Sequence, residues 1–235
     1  MKKILAIIPA RGGSKGVPRK NIKLLNGHPL IEYTIKEANK SSYINKIVVS
    51  SDDEEILEVS KRIGSCIPLK RRESLAGDKT ATVDVILDVL NELKNKDNYV
   101  PDYFVLLQPT SPFRNCKHID DSFKIVLNND SNSLISVCEV SETPYWMKII
   151  ENNKMKNLLE GNDVIRRQDL NKVYIINGAI YIMKTDVFLE SKKLILEDTC
   201  PYIMDRKFSL DIDTKLDFEM AEVLMSKLSS NIGEE

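Results

Sequence analysis

ILAIIPARGGSKGVPRKN, residues 4–21, starts as a short apolar run and breaks at Pro9 into a loop holding three glycines and four cations. Ile4, Leu5, Ala6, Ile7 and Ile8 form a brief, β-branched run bounded by proline, the pattern of a strand buried on both faces. Such a strand predicts an α/β protein, and open α/β sheets bind their ligands outside the carboxyl ends of the strands, where this loop emerges. Glycines 12, 13 and 16 permit positive φ and let backbone N–H groups turn toward an anion, while Arg11, Lys15, Arg19 and Lys20 supply charge. The segment therefore predicts a phosphate cradle, with a solvated basic turn as the plainer alternative. It is neither of two familiar phosphate loops. Lys15 is followed by Gly16-Val17-Pro18 rather than by the Ser or Thr that opens a Walker helix, and Gly12-Gly13-Ser14-Lys15-Gly16 lacks the G-x-G-x-x-G spacing.

Outward from the loop, helix and strand patterns alternate. Pro29 to Lys40 reads as an amphipathic helix, Lys46 to Ser50 as a buried strand, and Ile56, Leu57, Val59 and Ile63 as a helix capped by Ser51-Asp52 and stopped at Gly64. Val83 to Leu93 predicts another helix and Tyr103 to Leu107 a central strand, which Pro109 and Pro112 end at the ligand edge. A helix over about 117–127 and a strand over about 133–140 follow. From about 142 to 176 the alternation fails, and this segment reads as an inserted excursion that packs on a partner subunit. Strands over 179–183 and 208–210 and a helix carrying Leu216 to Leu228 complete one domain, residues 1–235, with a mainly parallel sheet.

A chain of 235 residues suits one sizeable core. With 34 basic and 35 acidic side chains and a formal net charge of −1, no global field recruits nucleic acid or an anionic membrane, so an anion site must be local. The apolar run after Met1-Lys2-Lys3 is too short for a secretory signal and no run is long enough to span a bilayer, so a cytoplasmic location is expected. Cys66, Cys116, Cys138 and Cys200 form no C-x-x-C pair and read as reduced thiols; His28 and His118 have no neighbour at metal-ligand spacing.

Asp211-Ile212-Asp213-Thr214 is the second strong signal. Two carboxylates flanking an apolar residue leave a strand on the same side and can share a hard divalent cation such as Mg²⁺, with phosphate oxygens and water as further ligands. A helix N-cap at Asp213 or Thr214 accounts for the same residues, and the two roles are compatible. A cationic glycine loop together with late carboxylates is what displacement at a nucleotide phosphate requires.

The chain resembles the acylneuraminate cytidylyltransferases, or CMP-N-acetylneuraminic acid synthetases, a family that includes the CMP-legionaminic acid synthetases. The matching blocks are IPARGGSKGVPRKN at 8–21, RRESLAGDKTAT at 71–82, LLQPTSPFR at 106–114, RRQDL at 166–170, NGAIYI at 177–182 and SLDIDTKLD at 209–217. The resemblance implies a Rossmann-like nucleotidyltransferase fold and a homodimer. It also implies a Mg²⁺-dependent reaction that joins CTP to a nine-carbon 2-keto sugar acid and releases pyrophosphate. Carried over by position, it puts Arg11, Lys15 and Lys20 on the triphosphate, with Gly12, Gly13, Ser14 and Asn21 beside them at the nucleotide, Arg71 and Thr82 near the cytidine, and backbone groups around Ala10 and Ala81 at its base edge. Gln108, Thr110, Ser111, Asn177 and Tyr181 fall around the sugar acid, with Arg167 reaching a neighbouring subunit's sugar. Asp211 and Asp213 become the metal ligands, catalytic together with Arg11 and Lys20.

The chain departs from sialic-acid-specific members around the sugar. Ile175 stands where an arginine is expected, Leu194-Ile195 where a Phe-Phe pair is expected, and Pro144-Tyr145-Trp146 puts aromatics where some members have lysine. N-acetylneuraminate and a bacterial analogue such as legionaminate both stand as substrates. Two rival classes are a glycosyltransferase that uses D-x-D on a sugar nucleotide and a non-catalytic nucleotide-binding module. The first normally carries its motif after a mid-domain strand, and a basic N-terminal loop would have no clear task there.

Overall fold

The structure, a computed structural model, describes residues 2–159 and 171–231, with 228–231 described by backbone alone. Arg166, Arg167 and the rest of the RRQDL block lie outside the described residues. The first half of the chain runs β1 (Ile4–Pro9), a small ribbon of β2 (Leu24–Leu25) and β3 (His28–Pro29), α1 (Leu30–Lys40), β4 (Lys46–Ser51), α2 (Glu54–Ile63), β5 (Ile67–Lys70), α3 (Thr82–Asp97) and β6 (Tyr103–Leu106). It continues with α4 (Cys116–Asn128), β7 (Ser133–Glu139), the pair β8 (Lys148–Glu151) and β9 (Lys154–Asn157), β10 (Tyr174–Lys184), α5 (Thr185–Ser191), β11 (Cys200–Met204) and α6 (Lys215–Asn231).

A seven-stranded sheet forms the centre, in the order β11-β7-β10-β6-β1-β4-β5. β1 pairs in parallel with β4 and β6, β4 with β5, and β11 with β7, whereas β10 runs antiparallel between β6 and β7. The inner strands β1 and β6 are apolar, and β4 nearly so, because both of their faces are covered. Ile4, Ala6 and Ile8 of β1 join Ile31 and Ile35 of α1, Ile56 of α2 and Phe123 of α4 on one face. Leu5 and Ile7 join Ile86 and Val89 of α3 and Phe188 of α5 on the other. The chain leaves β1 for β4 on one side and reaches β6 on the other, a topological switch point where a crevice opens beyond the strand ends.

Three sequence expectations change. Asp53, not Ser51-Asp52, caps α2, accepting from the Ile56 N–H at 3.1 Å. Residues 208–210 are not a strand. The edge strand is β11, a few residues earlier, and Phe208, Leu210 and Ile212 turn into a separate apolar cluster with Val17, Leu25, Leu30 and Phe218 of α6. The excursion ends sooner than 176: β10 begins at Tyr174, and the described residues before it hold a 3-10 turn at Pro144–Trp146 and the β8–β9 ribbon. Among the described residues no helix is long and apolar enough to cross a membrane. His118 sits in a capping box with Asn115 at the start of α4, and the four cysteines are free thiols.

Candidate active site

A cleft of about 470 Å³ opens at the carboxyl ends of β1 and β6. That size suits a small-molecule ligand. Arg11, Ser14, Lys15, Gly16, Lys20, Asn21, Arg71, Thr82, Gln108, Thr110, Asp211 and Asp213 line it together, although they come from five separate stretches of the chain. Ala10, Gly12, Gly13, Ala81, Ser111, Asn177 and Tyr181 do not line it.

The loop after β1 is built differently from its sequence expectation. None of its glycines has a positive φ; the left-handed residue is Arg19, at φ 58°. Gly16 is there for closeness, since a Cβ on it would lie 2.0 Å from the Asp213 backbone oxygen. Arg19 leaves the cradle altogether and pairs with Asp53 and Glu55 at the start of α2. The Gly12 N–H is also committed, donating to Asp52 at 3.1 Å. Asn21 is buried, and its amide donates to the Arg11 carbonyl at 2.9 Å, which fixes the backbone beneath the Arg11 guanidinium.

Lys20 joins the two ends of the chain. Its Nζ donates to the Ile212 carbonyl at 2.5 Å and lies 3.0 Å from Asp213 Oδ1. The Ile212 N–H donates to the Thr110 carbonyl at 2.9 Å, so the carboxylate segment is pinned to the loop after β6. The two carboxylates do not leave a strand as a matched pair: Asp213 is exposed, whereas Asp211 is half-buried, with one buried carboxylate oxygen lacking any hydrogen-bond partner. Burial pushes the Asp211 carboxyl above its ordinary pKa; a hydrogen bond from Thr110 opposes this and the nearby Asp213 charge adds to it. Thr214 and Asp217, in turn, bond reciprocally and cap α6, which leaves Asp213 free of that duty.

Arg71 is buried and donates to Ser50 Oγ at 3.1 Å and to the Ser50 carbonyl at 2.8 Å, so the end of β4 fixes it on the cleft wall. Burial pushes its guanidinium pKa down, with Asp52 and Asp88 opposing. Asn177 is committed elsewhere, donating to Ser209 at 2.9 Å and accepting from Ser136 at 2.6 Å. The close approach at Gly178, φ 74°, is to protein rather than ligand: a Cβ there would meet Gln108 Oε1 at 2.9 Å and Asp211 Oδ2 at 3.5 Å. Tyr181 stands behind Asp211; burial, then the Asp211 charge, raises its hydroxyl pKa. Ser111 is fully buried.

Two contributors were missed from sequence. Asp78 lines the cleft and pairs with both Arg11 and Lys15. Arg114, almost fully buried, donates to the carbonyls of Gln108 at 3.1 Å and Ala179 at 3.0 Å and to Thr34 Oγ1 at 2.7 Å, tying the loop after β6 to β10 and α1. Arg114 stands in the matching block at 106–114, which was its only signal; the partners of Asp78 are too remote in sequence to have been read.

Among the described residues no cluster of three or more His, Cys, Asp and Glu could hold a metal. The unpartnered, buried Asp211 oxygen beside Asp213 nevertheless fits Mg²⁺, an ion that takes one or two carboxylates and completes its shell with phosphate and water.

The family model described as Cytidylyltransferase matches residues 5–229. The chain is 36% identical over 230 residues to the CMP-N,N'-diacetyllegionaminic acid synthase of Legionella pneumophila, covering 95% of this chain and 96% of that one. It is 35% identical over 219 residues to the N-acylneuraminate cytidylyltransferase of Streptococcus agalactiae serotype V, covering 92% of this chain but 52% of that longer protein. Among solved structures, CMP:2-keto-3-deoxy-manno-octonic acid synthetase complexed with CTP superposes with a TM-score of 0.74 at 15% identity, over 96% of this chain and 99% of that one. This last likeness establishes a shared Rossmann-like fold.

Proposed function

The chain belongs to the cytidylyltransferase family, and from that premise we propose that it transfers CMP from CTP to the anomeric hydroxyl of a nine-carbon 2-keto sugar acid, releasing pyrophosphate. The observation that carries this reading is the single cleft in which three cations of the first loop face Asp211 and Asp213. Arg11, Lys15 and Lys20 grip the triphosphate and stabilise the charge that grows on the departing pyrophosphate. The sugar hydroxyl attacks the α-phosphorus directly, in line with the leaving group, so no covalent enzyme adduct is needed. Asp211 and Asp213 would hold Mg²⁺, which when bound neutralises charge at the α-phosphate and lowers the pKa of the attacking hydroxyl. Arg71 and Thr82 flank the nucleoside, while Gln108 presents a neutral donor to the sugar acid and Thr110, whose proton is given to Asp211, an accepting hydroxyl.

The sugar is of the legionaminate type. The near full-length relative from Legionella pneumophila supports this, as does Ile175 in place of the arginine of sialic-acid-specific members. The enzyme works as a cytoplasmic homodimer of single nucleotidyltransferase domains. Trp146, Ile149, Ile150, Met155, Tyr174 and Ile175 of the excursion are exposed apolar side chains, a surface that calls for a partner, and Arg167 is carried on the same segment.

Pyrophosphate release from CTP and Mg²⁺, measured with N,N'-diacetyllegionaminate, N-acetylneuraminate and 2-keto-3-deoxy-manno-octonate, tests the proposal. The highest kcat/KM is expected with the first. No pyrophosphate with any nine-carbon acid would remove the reading, and turnover of a sugar nucleotide instead would favour the glycosyltransferase class.

A further inference from the structure

The transfer chemistry gives Asp78 no task, yet it stands among the groups that must meet the phosphates. It lies in the short loop between the 3-10 turn at Glu73–Leu75 and the start of α3, where the Thr80 N–H closes a turn on the Gly77 carbonyl. Its Oδ1 accepts from Arg11 Nη1 at 2.8 Å and its Oδ2 lies 2.5 Å from Lys15 Nζ. All three side chains line the cleft. Asp78 is 44% exposed and Lys15 78%, so these are solvated, exchangeable pairs, unlike the pairing of Arg19 with Asp53, which ties the loop to α2 outside the cleft. One carboxylate thus takes up two of the three cations assigned to the triphosphate.

Resting on the reading of those cations given above, we propose that Asp78 is an internal counter-anion: it holds Arg11 and Lys15, yields them to a polyphosphate, and takes them back as pyrophosphate leaves. A carboxylate within 3 Å of both cations and a phosphate oxygen in the same place would repel each other, so binding and the ion pairs exclude one another. Polyphosphate affinity is reduced by whatever the pairs are worth, and the same competition hastens product release. The effect belongs to phosphate, not to nucleoside: a ligand without phosphate does not need the two cations.

Calorimetric titration of wild type, Asp78→Asn and Asp78→Ala with CTP, pyrophosphate and cytidine, in the presence of magnesium and without sugar acid, reads this directly. Both variants are expected to bind CTP and pyrophosphate about three- to tenfold more tightly, the worth of two exposed ion pairs, with cytidine unchanged. In turnover, pyrophosphate should become a correspondingly stronger inhibitor. Equal or weaker binding of polyphosphate, or an equal gain for cytidine, overturns the proposal. The pyrophosphate titration needs no sugar acid, so a protein that binds pyrophosphate but transfers CMP to none of the acids tested fails the functional reading while the exchange is still measured. A wild type that binds neither CTP nor pyrophosphate removes both.

Discussion

Asp211 and Asp213 are two residues apart and electrostatically unlike. Asp213 is exposed beside Lys20, while Asp211 carries an unpartnered buried oxygen and a raised pKa. A carboxyl whose pKa is raised on folding favours the fold only while protonated, so its contribution is present below the ordinary carboxylate range and is lost as pH rises through the raised value. At neutral pH the charged Asp211 therefore opposes folding. Asp211→Asn should melt higher than wild type at neutral pH, with the gain shrinking as pH is lowered toward about 4, while pyrophosphate release falls about 10²- to 10³-fold. Thermal melts across pH check the sign, and a lower melting temperature for the variant at neutral pH would refute it. Magnesium should raise the melting temperature of wild type and not of the variant. Gly16 is constrained by space instead: in Gly16→Ala the methyl group meets the Asp213 backbone at 2.0 Å, so the loop or the carboxylate must move. A displacement of about 1 Å at a reacting centre costs about 100-fold. A loss of that order in kcat/KM, with unchanged circular dichroism, is expected.

At the scale of elements, the loop after β6 shows how a buried charge positions a cleft wall. Arg114 is 1% exposed, and burial pushes its pKa down to about 10, opposed by Glu37. It satisfies carbonyls on two elements and a hydroxyl on a third. Truncation to alanine would strand those carbonyls in the interior, and Arg114→Ala should lose about 3 kcal/mol in urea denaturation. A loss within about 0.5 kcal/mol, the range of ordinary surface changes, would show that the arginine is not the tie. Nothing in the Ser-Pro-Phe-Arg run marks Arg114 as interior; as a sequence it reads as a surface cation. β1, β4 and β6 were legible because burial on both faces requires unbroken apolar runs. β5 and β11 were not, since Ile-Pro-Leu-Lys and Cys-Pro-Tyr-Ile-Met are edge strands, each with a proline and a half-exposed pattern. Phe208 and Leu210 mimicked strand alternation because both turn toward the cluster beneath α6. In the site, residue types were legible and pairings were not: no local pattern tells that Arg19 pairs with α2 while Arg11 and Lys15 pair with a residue more than sixty positions away.

For the whole molecule, the cleft and the excursion are separable. No described residue of the excursion lines the cleft, whereas the β8–β9 ribbon and the first residues of β10 present apolar side chains that no described part of the chain covers. Ile150 and Met155 are cross-strand partners at 73% and 75% exposure, so they stand side by side on the ribbon. An aspartate at each of these positions sets two like charges opposite each other, which costs the ribbon about 1 kcal/mol or less in the lone protomer, where both positions face water. In a dimer closed over them it would bury two charges per protomer without partners. The double variant Ile150→Asp/Met155→Asp is therefore expected to run as a monomer in light scattering behind size exclusion, with an unchanged circular dichroism spectrum and a melting temperature lowered by the lost dimer contacts. Because the cations, Arg71 and the carboxylates remain in place, CTP binding should be retained. Turnover should fall at least tenfold on the role proposed above for Arg167 in a neighbouring subunit's site. A variant that keeps a dimeric mass would place the interface elsewhere, and a monomer with full turnover would show that each cleft is complete within its own chain.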